Sequence, residues 1–427
     1  MDYIPALLEL HARSTDIVID SRKVQSGSMF FALKGEHVNG NDYAEKAVEQ
    51  GALVAVVDDE RLKTIPGCFW VEDVLTALQQ LGTAYRDSLG IPILALTGSN
   101  GKTTTKELIH SVLQTQFKTF ATKGNLNNHI GVPLSLLSIP RDAEIAIIEM
   151  GANHQGEIAF LSELVKPVLG LITNIGKAHL EGFGGLDGVK KGKSELYQYL
   201  MEHSGRLFVN SANTVLQDVY NGYDKVELFG EAAGDHVKGT AVLDNGFAAV
   251  QCDGRLYRSK LVGAYNAGNI LAAIAVGKYF GIDDNNIQSG IATYEPDNNR
   301  SQWLEHGGNY YIMDAYNANP SSMTAALKHF QAMDKEPRVA ILGDMLELGD
   351  DAIAEHTSIV KLACSIGCAE VITVGPLFRD ADTGQATRNF ENTLSLRSWL
   401  QQQSFENTYF LVKGSRRIGL ERILGEE

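Results

Sequence analysis

One short glycine-rich segment constrains this chain more than any other part of its sequence. Residues 93–97 form an apolar run, Ile-Leu-Ala-Leu-Thr, and Gly-Ser-Asn-Gly-Lys-Thr-Thr follows directly at 98–104. This order predicts a buried strand that leads through a tight turn into a helix. Such a turn points backbone N–H groups and a helix N-terminus at one place, which suits a phosphate group. The segment therefore predicts a site for a nucleoside triphosphate.

Two side chains at the end of this turn predict how the triphosphate is held. Lys102 adds a mobile positive charge, and the Thr103 hydroxyl is placed to reach a phosphate-bound Mg²⁺. The general phosphate-loop pattern requires a glycine five residues before Gly101, but Leu96 stands there, so this loop is shorter. An ordinary strand–turn–helix connection with a surface lysine is the alternative. The combination of a strand, two glycines, Lys-Thr and a helix disfavours that alternative.

Composition and charge exclude several classes of protein. The formal net charge of −15 argues against a broad basic face for nucleic acid. No apolar stretch approaches the roughly 18 residues of a membrane span. The first residues, Met-Asp-Tyr-Ile-Pro, lack the basic region and apolar run of a signal peptide. The four cysteines form no CxxC pair and no metal-binding spacing. A protein of the reducing cytoplasm, with no nucleic-acid partner and no membrane span, is therefore expected.

The order of apolar runs and polar turns predicts an α/β fold in several domains. A length of 427 residues indicates two or three domains. From residue 91 to about 295, strands alternate with helices, which is typical of a mostly parallel sheet covered on both faces. The segment 236–262 instead predicts an antiparallel insert with two tight turns. Polar turn clusters separate the predicted domains, which are 1–88, 89–296 and 297–427.

Polar residues at the ends of two predicted strands indicate a second part of the site. Glu149 ends the apolar run 145–149, and His179 follows the run 169–173 in a glycine-rich stretch. Because ligands bind beyond the carboxyl ends of strands in open α/β sheets, we predict that both residues converge with Thr103. A hydroxyl and a carboxylate beside phosphates suit Mg²⁺. A solvated strand-end carboxylate and a structural loop histidine remain the alternatives.

Seven segments spread over the chain match the motifs of one enzyme family. They are 97–107, 124–133, 149–154, 174–184, 314–323, 343–349 and 412–416. These segments resemble the Mur ligases of peptidoglycan synthesis, whose phosphate loop has the same short form. Two further segments, 20–24 and 27–35, match the family's uridine-nucleotide motif, so the resemblance extends over all three predicted domains in the family's order. Within the family the resemblance is to the member that adds D-alanyl-D-alanine.

The resemblance implies an architecture and a reaction. A Mur ligase has an N-terminal domain for the UDP end of the substrate, a central P-loop ATPase domain with a mostly parallel sheet, and a C-terminal Rossmann-like domain. The implied reaction joins D-alanyl-D-alanine to UDP-N-acetylmuramoyl-tripeptide through an acyl phosphate, and yields the pentapeptide, ADP and phosphate. ATP and two Mg²⁺ ions are the implied cofactors. The implied partners are these small molecules alone, and a monomer is expected.

The resemblance also implies roles for individual residues. The implied catalytic residues are Lys102, His179, Lys193 and Arg300. The implied ATP-binding residues are Gly98, Ser99, Asn100, Gly101, Lys102, Thr103, Thr104, Asn266, Asn269, Arg300, Asp314, Tyr316 and Asn317. The implied metal ligands are Thr103, Glu149, His179 and, if it is carbamylated, Lys193. The implied substrate-binding residues are Ser21, Arg22, Asn125, Asn128, Asn319, Lys413, Ser415 and Arg416.

Some of these roles compete with simpler ones. Lys193 matches a family lysine that carries CO₂ and so becomes a carboxylate-like metal ligand. Lys190 and Lys191 beside it leave a plain basic helix start open. Asn266 and Asn319 each precede a predicted helix, so helix capping is an alternative or additional role for both.

Three alternatives for the function remain open. A Mur ligase that adds diaminopimelate or lysine would carry an Asp-Asn-Pro-Arg signature, which this sequence lacks. A folylpolyglutamate synthase is less consistent with the segments 314–323 and 343–349. A nucleotide-binding module without catalysis would have lost the lysine, the carboxylate or the glycines, and none is lost. The third residue of the accepted tripeptide, lysine or diaminopimelate, is not determined.

Overall fold

The computed structural model describes residues 3–232, 234–381 and 384–425. By their internal contacts, the residues form two compact units, and each unit combines several segments of the chain. The first unit comprises Met1–Leu96, Phe117–Gly151 and Glu157–Leu169. The second unit comprises Thr97–Gln116, Ala152–Gly156 and Gly170–Glu427.

Helices and strands alternate along most of the chain, which confirms the predicted α/β class. In chain order, the α-helices of the described residues are α1 (Ile4–Arg13), α2 (Ala44–Glu49), α3 (Val74–Leu89), α4 (Lys102–Leu113), α5 (Gly131–Leu137), α6 (Glu157–Val165), α7 (Leu180–Phe183), α8 (Leu186–Glu202), α9 (Gln217–Tyr220), α10 (Ala267–Tyr279), α11 (Asp284–Thr293), α12 (Pro320–Ala332), α13 (Ala352–Ser365), α14 (Pro376–Ala381) and α15 (Thr393–Leu400). The strands are β1 (Ile17–Val18), β2 (Met29–Phe31), β3 (Val54–Val57), β4 (Cys68–Trp70), β5 (Ile93–Thr97), β6 (Thr119–Ala121), β7 (Ile145–Glu149), β8 (Leu169–Ile172), β9 (Arg206–Asn210), β10 (Val226–Gly230), β11 (Val237–Asp244), β12 (Phe247–Cys252), β13 (Arg255–Val262), β14 (Gln302–His306), β15 (Asn309–Asp314), β16 (Arg338–Gly343), β17 (Glu370–Val374), β18 (Arg388–Phe390) and β19 (Tyr409–Lys413). None of these helices is long and apolar enough to cross a membrane.

The first unit begins with a parallel sheet in the order β1–β2–β3–β4. Phe30 on β2 and Ala55 on β3 form its core together with Ala44 and Ala47 on α2. Farther along the chain, β7 pairs in parallel with β5 and with β6. Every residue of β5 and β7 is buried, which explains why these strands are nearly continuous apolar runs in the sequence. Helix α3 ends at Leu89, because Gly90 takes a left-handed conformation there.

The antiparallel insert predicted at 236–262 is confirmed in the second unit. Strands β9, β10 and β11 pair in parallel, whereas β11, β12 and β13 pair antiparallel. The turns between the antiparallel strands are Asn245–Gly246 and Asp253–Gly254, and all four residues have positive φ angles. Two successive residues with positive φ angles are typical of the type I′ turns that join tight hairpins.

The C-terminal part of the second unit is a six-stranded sheet in the order β14–β15–β19–β16–β17–β18. Strand β14 is antiparallel to β15, and the other pairs are parallel. Its core includes Met313, Ile341, Ile372 and Phe410, one from each of four strands. Alternation of the apolar runs 338–342, 370–374 and 409–412 with helices predicts strands in this part of the chain, and β16, β17 and β19 confirm them, while the hairpin of β14 and β15 was not predicted.

A histidine in the first unit makes stability sensitive to pH. His11 Nε2 lies 3.0 Å from the carbonyl oxygen of Leu137, and its buried Nδ1 has no partner among the described residues. Burial lowers the pKa of His11 below its ordinary 6.5. The unfolded chain therefore binds the proton first as the pH falls, so the contribution of His11 to stability is fully present above pH 6.5 and decreases below it.

Urea midpoints measured at about pH 7 and about pH 5 should differ less in His11→Gln than in wild type. An unchanged difference would contradict this expectation.

Candidate active site

The loop between β5 and α4 has the predicted shape, and two of its glycines cannot be replaced without strain. Gly98 has φ +145°, and a Cβ atom there would lie 2.0 Å from Thr173 Oγ1. Gly101 has φ +78°, and a Cβ atom there would lie 2.7 Å from Asn269 Oδ1. Helix α4 begins at Lys102, so its N-terminus opens on this loop. The predicted strand, turn and helix are thereby confirmed.

Side chains that follow β8 hold the backbone of this loop. The Asn100 N–H donates to Asn174 Oδ1 at 3.0 Å, and the Asn100 carbonyl accepts from Thr173 Oγ1 at 2.6 Å. Ser99 Oγ donates to the Gly176 carbonyl at 3.1 Å. The sequence analysis assigned no role to Thr173 or Asn174, although Asn174 lies in one of the family-like segments. Their role depends on a contact between segments far apart in the sequence.

The Lys102 side chain folds back across the loop. Its Nζ donates to the Gly98 carbonyl at 2.7 Å. Thr103 and Thr104, in the first turn of α4, are buried. A cation and a helix N-terminus at the same loop favour the binding of an anionic phosphate group.

An asparagine pair supports the loop from helix α10. Asn269 Oδ1 accepts from Thr105 Oγ1 at 2.9 Å, and Asn269 Nδ2 donates to Asn266 Oδ1 at 2.8 Å. Asn266 stands at the N-cap position of α10 but makes no side-chain cap hydrogen bond; its Nδ2 donates to the Val262 carbonyl at 2.8 Å. The capping role considered for Asn266 was therefore wrong, because its amide is bonded to the preceding strand.

We expect Gly101→Ala to weaken binding of a nonhydrolysable ATP analogue by roughly tenfold or more, since a methyl group forced into a packed site costs about 1–3 kcal/mol. Gly254→Ala is the matched control, because Gly254 has the same φ of +78° and nothing lies within 4 Å of the position that its added methyl group would take. Titration calorimetry of both variants separates the backbone strain from the clash with Asn269. Equal affinities in the two variants would contradict the expected role of the clash.

Glu149 in the first unit is a buried carboxylate. It ends β7 with 2% of its surface exposed. Its Oε1 accepts from Asn127 Nδ2 at 2.8 Å, and its backbone N–H donates to Thr122 Oγ1 at 3.0 Å. The alternative of a solvated strand-end carboxylate was therefore wrong. The sequence analysis missed Asn127, which lies in the same segment as the predicted Asn125 and Asn128.

Two predicted asparagines lie near the start of helix α5 in the first unit. Asn128 Oδ1 accepts from the N–H groups of Ile130 at 3.1 Å and Gly131 at 2.8 Å, so it supports the N-terminus of α5. Asn125 is exposed. The predicted substrate contacts of both residues stay predictions.

His179 lies at the start of α7 in an unusual backbone conformation. Its φ of +52° is rare for a residue with a side chain. Its Nδ1 pairs with the Glu347 carboxylate, and this ring holds the pKa of Glu347 below the ordinary range. Glu347 belongs to the family-like segment 343–349, to which the sequence analysis gave no role.

The segment that contains Glu347 is anchored by buried polar groups. Asp344 accepts from the N–H groups of Leu377 at 3.0 Å and Phe378 at 2.8 Å, at the start of α14. The Met345 N–H donates to His356 Nε2 at 2.9 Å. Burial lowers the pKa of His356, which favours the neutral ring that this bond requires. These bonds fix the loop that presents Glu347.

Lys193 is buried in the middle of α8, with 1% of its surface exposed. Its Nζ donates to the Ala152 carbonyl at 3.0 Å and lies 5.0 Å from the centre of the Phe183 ring. Lys190, by contrast, forms an ion pair with the exposed Asp218. The alternative of a basic helix start is therefore wrong for Lys193. The sequence could not separate these lysines without the family resemblance.

Two predicted arginines of the C-terminal part lie beside the ring of a third predicted residue, Tyr316. The guanidinium carbon of Arg300 lies 3.6 Å from the centre of the Tyr316 ring, and that of Arg416 lies 4.9 Å from it. Arg300 Nε is buried without a hydrogen-bond partner among the described residues. Two guanidinium groups beside one tyrosine give this part of the chain a strong local positive charge.

Lys413 and Asp314 form a buried ion pair. Lys413 Nζ lies 2.6 Å from Asp314 Oδ2 and 3.2 Å from the Asn317 carbonyl. Asp314 Oδ1 also accepts from the Ser301 N–H at 3.1 Å. In this structure the Lys413 ammonium connects β19 to β15, so its predicted substrate contact stays a prediction.

A cleft of about 200 Å³ brings several predicted residues of the second unit together. The predicted residues on its wall are His179, Tyr316, Asn317, Asn319, Ser415 and Arg416. Glu347 and Arg417 also line it, and neither was predicted. Ser415 Oγ accepts from the Leu346 N–H at 3.1 Å. The cleft therefore combines cations, a carboxylate and amide groups, which suits a small zwitterionic or anionic ligand.

The described residues contain no group of three or more His, Cys, Asp or Glu side chains arranged to hold a metal ion. The predicted ligand roles of Thr103, Glu149 and His179 stay predictions. Thr103 and Glu149 offer the oxygen atoms that Mg²⁺ prefers. Further ligands would have to come from phosphate oxygens, from water or from a modified Lys193.

Two residues of the first unit were predicted to contact the UDP end of the substrate. Ser21 and Arg22 belong to a short 3₁₀ turn, Ser21–Lys23. Arg22 is exposed and pairs with Asp20 at 2.8 Å, which holds the pKa of that carboxyl at about 2. The surface-turn alternative therefore remains open for both residues.

Comparison with known proteins gives one consistent result along the chain. Residues 14–86 match the model described as "Mur ligase family, catalytic domain". Residues 96–277 match the "Mur ligase middle domain", and residues 299–416 match the "Mur ligase, glutamate ligase domain". The UDP-N-acetylmuramoyl-tripeptide--D-alanyl-D-alanine ligase of Bacillus subtilis is 33% identical over 422 residues, which are 96% of this chain and 92% of that protein.

Solved structures agree with these matches. A crystal structure of MurF from Acinetobacter baumannii has a TM-score of 0.87 and 31% identity, and covers 98% of this chain and 97% of that one. The structure of MurF ligase from Thermotoga maritima in complex with ADP has a TM-score of 0.85 and 25% identity, with 97% of both chains covered. The predicted three-domain architecture is thereby confirmed.

Proposed function

Because this chain belongs to the Mur ligase family, we propose that it is an ATP-dependent ligase that joins D-alanyl-D-alanine to UDP-N-acetylmuramoyl-tripeptide. The products are the UDP-linked pentapeptide, ADP and phosphate, and the reaction supplies a precursor of peptidoglycan. The observation that carries this proposal is the phosphate loop, where Gly98 and Gly101 are both required sterically. Similarity to ligases of this name over 96% of the chain supports the proposed substrates.

The chemistry requires an activated acid. A carboxylate resists attack by an amine because its oxygen is a poor leaving group. A carboxylate of the tripeptide therefore attacks the γ-phosphorus of ATP, and the bond to the bridging oxygen breaks with release of ADP. The dipeptide amine attacks the resulting acyl phosphate, and the tetrahedral intermediate expels phosphate and loses a proton. Since the reactants are anions, the protein must supply positive charge where they meet.

The residues of the second unit fit the nucleotide half of this reaction. Lys102 and the N-terminus of α4 are placed to hold the β- and γ-phosphates. Arg300 offers a buried guanidinium N–H that still needs an acceptor, which suits a phosphate oxygen. Gly98, Ser99, Asn100, Gly101, Thr103 and Thr104 would surround the phosphates. The residues that would hold the adenosine part are Asn266, Asn269, Asp314, Tyr316 and Asn317.

Thr103, Glu149 and His179 are the proposed protein ligands of Mg²⁺, as the sequence predicts. When bound, Mg²⁺ would offset the charge of the phosphate oxygens. We propose that Lys193 carries CO₂ as a carbamate, which forms with loss of a proton and converts the amine into an oxygen ligand. Its burial supports this assignment, because a lysine without a special role is seldom found in a protein interior.

The remaining predicted roles are also part of this proposal. Ser21 and Arg22 would contact the UDP end, and the asparagines at 125 and 128 would contact the tripeptide substrate or the phosphates. The cleft residues Ser415 and Arg416, together with Lys413, would serve the peptide substrates, and Asn319 would either bind a ligand or brace its loop. We place the domain bounds at 1–88, 89–296 and 297–427, and the protein in the cytoplasm as a monomer.

The test is phosphate release from ATP and Mg²⁺ with UDP-N-acetylmuramoyl-tripeptide, measured with and without D-alanyl-D-alanine. The lysine and the diaminopimelate tripeptides are assayed separately. We expect release that requires the dipeptide and yields the pentapeptide, with a preference for one tripeptide. This preference identifies the third residue of the natural substrate.

Two results would contradict the proposal. Release with a different amino acid in place of the dipeptide would indicate another amide ligase of the family. Binding of an ATP analogue without turnover of either tripeptide would indicate a nucleotide-binding protein that does not catalyse.

A further inference from the structure

The amide of Asn319 makes hydrogen bonds in two directions. Its Oδ1 accepts from the Ser322 N–H at 2.9 Å, and so caps helix α12. Its Nδ2 donates to Asn100 Oδ1 at 2.7 Å, although the two residues are 219 positions apart. Asn319 is 6% exposed, and both of its hydrogen bonds are partly buried. One side chain therefore connects the start of α12 to the phosphate loop.

Asn100 is the residue through which this connection can act. Its backbone is already held by Thr173 and Asn174, at 2.6 to 3.0 Å. Its side chain is held by Asn319. Asn100 directly precedes Gly101, after which α4 begins, so its position affects the direction of the first N–H groups of that helix.

We propose that Asn319 is a positioning residue, which holds Asn100 and thereby keeps the phosphate loop in the conformation that receives the triphosphate. This role differs from the predicted direct contact with the peptide substrate. It rests on the proposed function only in that the loop binds ATP. The nucleotide site is then complete only when α12 is in place.

Neighbouring contacts at the same place are weaker candidates for this role. The Lys177 N–H donates to Ser321 Oγ at 3.1 Å, and Lys177 Nζ pairs with Glu355. The Lys177 side chain is 49% exposed, and exposed ion pairs contribute little to stability. The partly buried amide pair is more costly to break, because the loss of Asn319 Nδ2 leaves Asn100 Oδ1 without this donor.

Asn319→Ser is the decisive variant. Serine caps a helix about as well as asparagine, so α12 should keep its N-terminus. The shorter side chain cannot reach Asn100. We expect a thermal midpoint lowered by a few degrees at most, about tenfold weaker binding of a nonhydrolysable ATP analogue, and a similar rise in the KM for ATP. The KM for D-alanyl-D-alanine should stay at its wild-type value.

A double-mutant cycle with Asn100→Ala tests whether the two residues act together. If Asn319 acts through Asn100, Asn319→Ser should have no further effect on analogue binding in the Asn100→Ala background. Additive losses of affinity would overturn the proposal, and so would a rise confined to the KM for the dipeptide. The analogue titration does not depend on ligation, so failure of the proposed function and failure of this inference remain distinguishable.

Discussion

Lys193→Ala is expected to lower the rate of pentapeptide formation by about three orders of magnitude or more, with ATP-analogue binding changed much less. In the proposed function, the Lys193 carbamate supplies a metal ligand beside the acyl phosphate, and loss of a single electrostatic group at a reacting centre costs about 10²–10³ in rate. Loss of a metal ligand is expected to lower the rate further. The measurement is phosphate release under saturating substrates, together with calorimetric titration of the analogue.

The control for Lys193→Ala is Lys191→Ala, which removes an exposed lysine from the same helix. It should retain wild-type turnover. Thermal melting shows whether the loss of a buried side chain has unfolded α8. Depletion of CO₂ should lower wild-type activity, and bicarbonate should restore it. A folded Lys193→Ala protein with normal turnover would exclude the carbamate.

Lys102→Ala is expected to lower kcat/KM for ATP by about two to three orders of magnitude. The Lys102 ammonium lies across the loop, 2.7 Å from the Gly98 carbonyl, and is the cation nearest in sequence to the N-terminus of α4. In the proposed function, its loss removes positive charge where the γ-phosphoryl group develops charge in transfer. The KM values for the tripeptide and dipeptide should change little.

The control for Lys102→Ala is Lys118→Ala, since Lys118 forms an exposed ion pair with Asp142. Such pairs contribute at most about 1 kcal/mol, so turnover should be unaffected. If Lys102→Ala retained wild-type kcat/KM, the charge at the phosphate loop would have to come from another residue.

Most strands and helices could be predicted because their signals are local. Strands β5 and β7 are apolar at nearly every position. The hairpin turns at 245–246 and 253–254 consist of Asn-Gly and Asp-Gly, which adopt positive φ angles readily. Helix α12 has the expected start, because Asn319 caps it and Pro320 follows. Each of these signals requires only a few neighbouring residues.

The elements that were missed have weaker local signals. Strand β14 is partly exposed, and β1 has only two residues, so neither shows a buried apolar run. Strands of this kind form because a neighbouring strand supplies hydrogen-bond partners. β15 pairs with β14 on one side and β19 on the other, and β19 lies about a hundred residues away.

The phosphate loop is a feature that the order of residues alone establishes: glycines permit its positive φ angles, and Lys102 directly follows the second of them. Packing established which side chains meet. Three lysines lie within four residues of α8, yet Lys193 alone of them is buried. Glu149 is bonded to Asn127 rather than to Asn125 or Asn128, and Asn319 reaches Asn100 across 219 residues. Backbone preferences act over a few residues, whereas side-chain contacts depend on how distant segments fold together.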